Sequence, residues 1–149
     1  MFRVEFTGTK EVSRKVAALG RQLSGPLRRK GFRRVARVLK KQHLERLNTT
    51  KRDADGKPWA PWSDSYAATR GPEHSLLQDR FAMTRGLKVV EAGPDLMFGT
   101  DKPYAVYHQE GTAKMPARPP FGVGDADVPG LQAALDEWFM EEAGRRGLS

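Results

Sequence analysis

The chain contains no cysteine. Disulfides, thiolate nucleophiles, cysteine-ligated zinc and iron–sulfur clusters are therefore excluded, and the interior has to hold by packing alone. Long apolar runs are missing too: the longest are four residues, Val16–Leu19 and Tyr104–Tyr107. A membrane helix needs ~20 and a signal-peptide core ~7–15, so the expectation is a soluble protein with no visible export signal. Acidic residues are scarce at the N-terminal end. Residues 1–52 carry 16 Lys/Arg against 3 Asp/Glu, net +13, whereas residues 53–149 are net −5, giving +8 overall. Such a balance favours polyanions or acidic protein surfaces as partners. At 149 residues and 38% hydrophobic composition, the chain is expected to form one domain, 1–149, with a modest core.

The pattern at Phe2–Thr7 alternates as a half-buried strand does, and Val12, Val16, Leu19 and Leu23 recur at helical spacing after a Thr9 cap, predicting a helix over 10–23. Pro26 suits the first turn of a longer helix, 27–47. Wound at about 100° per residue, that segment places Phe32, Val35, Ala36, Leu39, His43 and Leu47 on one stripe. Lys30, Arg33, Arg34, Arg37, Lys40 and Lys41 fall on the opposite arc. Gly31 counts against the helix by ~1 kcal/mol relative to alanine. Residues 48–71 read as turns and extended chain, with Ser63 placed to cap a helical turn through Tyr66 to Arg70, and residues 72–85 give no clear pattern. Leu87–Ala92 and Leu96–Thr100 read as a hairpin around Gly93-Pro94-Asp95. A short helix follows from Tyr104 to Gln109, stopped by Gly111. Met115–Gly122 is proline-rich and expected on a sheet edge or the surface. Asp127 should cap a last helix with Pro129 in its first turn and Val128, Leu131, Ala134, Leu135 and Trp138 on its apolar stripe.

Chemistry-bearing patterns are sparse. His43 sits on an apolar stripe and reads as a core residue with a satisfied hydrogen bond. His108-Gln109-Glu110 has the His-x-Glu spacing of zinc deaminases, but that site requires a Pro-Cys-x-x-Cys that a cysteine-free chain cannot supply. A nuclease built on His108 and Glu110 with Asp95, Asp101 or Asp125 has no ligand spacing behind it. Asp55-Gly56-Lys57 lacks the glycine spacing of a phosphate loop, and Asp53-x-Asp55-Gly56 has too few following oxygen ligands for a calcium loop. No catalytic site, cofactor or metal is expected. The basic arc at 30–41 should meet something acidic: it is a solvated face, or one paired with the acidic C-terminal helix of the same or a neighbouring subunit, or a contact for a nucleic-acid backbone bound without base specificity.

Three islands, in order, carry a resemblance. They are Asp55-Gly56-Lys57-Pro58-Trp59-Ala60-Pro61-Trp62-Ser63; Phe98-Gly99-Thr100 with Pro103-Tyr104-Ala105-Val106-Tyr107-His108-Gln109-Glu110-Gly111; and Met115-Pro116-Ala117-Arg118-Pro119-Pro120-Phe121-Gly122. With the basic helix ahead of them, over residues 27–143, the chain resembles the phage virion morphogenesis family, the tail-completion proteins of Mu-like phages. It departs from the family at Glu110, where an aromatic is usual, and at Pro120-Phe121, which stands in place of Phe-Leu. The resemblance implies an α+β fold in which a long basic amphipathic helix and the C-terminal helix pack on a small antiparallel β-sheet. It also implies a structural, non-enzymatic role in tail completion or head–tail joining. The place of action would be the virion, after assembly in the bacterial cytoplasm, and the form a ring of subunits at the neck or tail end. The partners would be connector or tail-tube proteins, with non-specific contact to passing DNA as a second use of the basic face and no membrane involved. On this view Trp59, Trp62, Tyr104, His108, Gln109, Arg118 and Pro119 are packing and interface residues. Lys30, Arg33, Arg34, Arg37, Lys40 and Lys41 form the face for an acidic partner or DNA. The rival reading is a non-specific nucleic-acid-binding module using helix 27–47.

Overall fold

A computed structural model of the chain describes residues 25–72, 74–78, 82–92 and 95–145. The expected strand at Phe2–Thr7, the Thr9 cap, the helix over 10–23 and the Gly93-Pro94 part of the hairpin turn lie outside the described residues. Helix α1 runs Gly25–Glu45 and passes directly into a π-helical turn, Arg46–Thr50. Its apolar stripe is the one read from the sequence: Phe32, Val35, Leu39, His43 and Leu47 are buried, while Ala36 is half-buried. The rod ends at Lys51, which adopts a left-handed conformation (φ 53°) and returns its N–H to Arg46 O at 3.0 Å. A left-handed lysine is unfavourable without compensation. Here its three N–H groups are shared among four acceptors, Leu47 O, Ser75 Oγ (3.0 Å), Leu76 O (3.0 Å) and Gln78 Oε1 (2.9 Å), fastening the 75–78 turn to the end of the rod. Burial pulls the Lys51 ammonium down to about 8.

Two strands, β1 (Leu87–Ala92) and β2 (Asp95–Thr100), form an antiparallel hairpin with Leu87 opposite Thr100 and Val89 opposite Phe98. Strand alternation sends Leu87, Val89, Leu96, Phe98 and Thr100 to one face. That face meets α1 in two clusters. One gathers Leu47, Trp59, Met83, Leu87, Phe98, Ala105 and Phe121; the other gathers Phe32, Val35, Leu39, Leu96, Leu131 and Leu135, with Val89 packed against both. The last helix of the chain, Val128–Arg145, lies along α1 and buries Leu131, Ala134, Leu135 and Trp138. The Trp138 indole covers Gly31 so closely that a Cβ there would sit 3.1 Å from its ring carbons. The glycine that weakens α1 locally is thus the seat of a buried tryptophan. Short helical turns occupy the connections: α2 (Asp64–Ala67), α3 (Ala82–Arg85) and α4 (Ala105–Glu110), so the last helix is α5. The fold is α+β, with both long helices on one face of a small antiparallel sheet.

Three local expectations are corrected. Asp127 does not cap α5. It closes a 3-10 turn, Asp125–Asp127, and its carboxylate accepts the Gly124 N–H (2.9 Å) and the buried Arg46 guanidinium. A buried cation at the end of α1 outcompetes the helix N–H groups for it. Of the two places expected for residues 115–122, the surface holds for Met115–Ala117, while the segment joins no sheet edge and Arg118, Pro120 and Phe121 turn inward and are buried. Ser63 stands at the start of α2, but its hydroxyl lies against Ser65 Oγ (3.4 Å) without capping the helix. The stretch without a readable pattern, 72–85, holds the Ser75–Gln78 turn and α3.

Candidate interface surfaces

The three sequence islands interlock. Trp59 is buried and donates its Nε1–H to Pro119 O (3.1 Å). Arg118 reaches back to the first island, donating through Nε to Ala60 O (2.6 Å) and through Nη2 to Pro61 O (2.7 Å), while its own N–H donates to His108 O (2.7 Å). Gln109 clamps Phe121 on both sides, Nε2 to Phe121 O (3.1 Å) and Oε1 from Phe121 N–H (3.2 Å). Extended, proline-rich chain has few backbone partners of its own, so these side chains supply them. Trp59, Gln109, Arg118 and Pro119 therefore hold the islands together from within. Asp53 does the same for the turn ahead of them, its Oδ1 accepting the N–H groups of Asp55 (3.0 Å) and Lys57 (2.8 Å).

What the islands build is a cleft of about 910 Å³. Trp62, Tyr66, Tyr104, His108, Met115 and Arg118 line it, together with Leu77 and Gln78 from the turn fastened by Lys51. Trp62 meets Tyr66 edge-on at 5.7 Å, Tyr104 meets His108 edge-on at 6.3 Å, and the Arg70 guanidinium lies 4.5 Å from the Tyr66 ring centroid. Burial, and then the Arg118 charge, push the His108 imidazole below its ordinary value, and burial likewise lowers Arg118. His108 Nδ1 is buried and has no hydrogen-bond partner among the described residues. Among the described residues no Asp or Glu lines the cleft.

The second surface is the basic arc of α1. The structure resolves its neighbours: Arg34 pairs with Glu141 (2.5 Å) and more loosely with Glu137 (3.9 Å), and Lys30 with Glu142 (3.4 Å), all on α5 of the same chain. Arg33, Arg37, Lys40 and Lys41 are exposed and pair with no carboxylate among the described residues. His43, by contrast, belongs to the core. It is fully buried, donates from Nδ1 to Leu39 O (2.7 Å), and receives at Nε2 the Gly122 N–H (3.3 Å) and Arg46 Nη1 (3.3 Å).

Among the described residues no three His, Asp or Glu side chains are grouped as metal ligands, so His108 and Glu110 are not joined by Asp101 or Asp125. No helix of the described residues is long and apolar enough to cross a membrane. Sequence reasoning missed Tyr66 and Lys114 as cleft residues, since nothing in their spacing marks them, and it took Met115 only as the start of the third island. It also missed Phe139 and Met140, which are 56% and 70% exposed on α5. A signal for that pair existed: both are large apolar residues off the Leu131–Leu135–Trp138 stripe.

No curated protein and no solved structure matches the chain significantly. A family model does, over residues 7–140, and it takes in α1, the hairpin, all three islands and most of α5. By that match the chain belongs to the phage virion morphogenesis family.

Proposed function

We propose that the protein is a non-enzymatic structural part of a phage virion that acts in tail completion or head–tail joining, as one subunit of a ring at the neck or tail end. The family match over 7–140 carries this reading. The arrangement of surfaces supports it: the islands are spent on bracing one another, leaving Trp62, Tyr104 and His108 along a cleft and, on α1, a row of cations unpaired among the described residues. Surfaces of this kind suit oriented docking, in which complementary charge fixes register and excludes wrong partners. The test is a phage deleted for this gene. Lysates should hold heads and tails that do not join, or tails with unfinished ends, and the purified protein should restore infectious particles. Normal particles from the deletion phage would end the proposal.

The four cations that pair with no carboxylate among the described residues support a second use of α1. From Arg33 to Lys41 they span about 12 Å of helix at ~1.5 Å per residue, enough to lie along a nucleic-acid backbone as DNA passes the neck. Such contact would be non-specific and strongly salt-dependent.

A further inference from the structure

The cleft and the exposed apolar pair on α5 are chemically matched. The cleft is lined by three aromatic side chains, Trp62, Tyr66 and Tyr104, and by the cations Lys114 and Arg118. Arg118 in that lining is 6% exposed, and among the described residues its guanidinium meets only the carbonyl oxygens of Ala60 and Pro61. A buried cation without a counter-ion is costly, and an incoming carboxylate would relieve that cost. Lys114 in the same lining is exposed and also pairs with no carboxylate among the described residues. On α5, Phe139 and Met140 stand in solvent, with Asp136 and Glu137 one turn before them on the same side of the helix. Among the described residues Asp136 bonds only to Gln132 (2.9 Å), and Glu137 has no cation closer than Arg34 at 3.9 Å. A knob of two large apolar side chains flanked by carboxylates thus faces outward from a chain that also carries an aromatic, cationic hole.

The two cannot meet within one molecule. Glu141 and Glu142 fix the knob at the Arg34 level of α1, whereas Lys51 fixes the cleft wall, Ser75 and Gln78, at the other end of the same rod. At ~1.5 Å per residue the helical stretch from Arg34 to Lys51 is about 25 Å long. Knob and hole at opposite ends of one rigid element make a head-to-tail contact, which closes into a ring when the rotation per subunit allows.

We propose that the cleft receives the Phe139–Met140 knob of a second copy of this chain, with Asp136 and Glu137 of that copy set against Lys114 and Arg118. This rests on the reading of the protein as a ring subunit and names the contact that joins neighbours. The absence of native cysteine permits a direct test. Met140→Cys and Lys114→Cys, both at exposed positions, are prepared as single variants and joined with a short bismaleimide, in pure protein over a range of concentrations and in particles. The mixture of the two variants should cross-link to a dimer and each variant alone should not. The double variant should give a ladder of multimers, and Met140→Asp should abolish assembly. Three results would overturn the proposal: no link between the variants in protein or particles, equal linking of each variant with itself, or Lys114→Cys linked to a different virion protein. A heterologous link in a protein that particles lack would keep the contact and discard the neck ring. A ring in particles without the link would do the reverse.

Discussion

Acid should destabilise this protein through one buried imidazole. His43 is held in its neutral form by geometry: Nδ1–H donates to Leu39 O, so Nε2 must accept, and it receives the Gly122 N–H and Arg46. Protonating Nε2 would remove the acceptor and set a second cation against the Arg46 guanidinium. Burial first of all, with Arg46 adding to it, lowers the His43 pKa from 6.5 to about 4. In the unfolded chain the same imidazole takes its proton near 6.5. Between those two values the unfolded state binds more protons than the folded one, so stability falls as pH falls through the window, and the loss is complete below about 4. At about 1.4 kcal/mol per pH unit, the window is worth about 3 kcal/mol, a large share of a small domain's stability. Urea unfolding of the wild type and of His43→Gln at several pH values separates this contribution from that of carboxylates common to both. The variant should start less stable at neutral pH and lose about 3 kcal/mol less across the window. Parallel pH profiles, or an imidazole titration for His43 at or above 6.5 by NMR, would refute the reasoning.

The remaining predictions concern how the parts are braced and charged. Asp127→Ala leaves the Arg46 guanidinium buried without its carboxylate and should cost about 3–5 kcal/mol in chemical denaturation, whereas Arg46→Met combined with Asp127→Leu should recover most of it; equal losses in single and double variants would contradict this. Gly124→Ala would place a Cβ 1.8 Å from Ala54 O, so backbone must move. The variant should melt well below the wild type, and an unchanged melting temperature would show that the 54–56 turn does not pack there. If α1 touches DNA, replacing Arg33, Arg37, Lys40 and Lys41 by Glu should abolish DNA retention in the wild type's salt range, and each cation neutralised singly should reduce the log–log salt slope by about 0.9. Unchanged retention would rule that face out.

How much of this was legible in the sequence varies with the physics behind each element. Periodicity located α1 within a few residues and named its buried stripe down to His43, because an amphipathic helix writes its burial at a fixed angle. The hairpin was legible for the same reason at period two, with β2 gaining Asp95. The charge division also had structural content: Lys30 and Arg34 meet Glu142 and Glu141 in the same chain, one of the arrangements the basic arc demanded. What failed was long-range. Asp127 has an N-cap's residue type and position, and only the fold reveals that Arg46, distant in sequence, competes for it. Gly31 reads as a flaw until Trp138 is seen to lie on it. The cleft was half legible: the islands were recognisable as strings, but their shared purpose, Arg118 and Gln109 tying them together, depends on contacts no local pattern encodes. Lys51, hidden in a basic stretch, gave no sign that it anchors the cleft wall.

Averaged electron microscopy of complete particles bears most directly on the central claim, that this chain is a ring-forming virion part at the neck or tail end. Closed density is expected at the head–tail junction or tail terminus, into which α1, α5 and the hairpin fit as repeated copies. The contradicting result would be particles whose neck and tail end are fully explained by other chains.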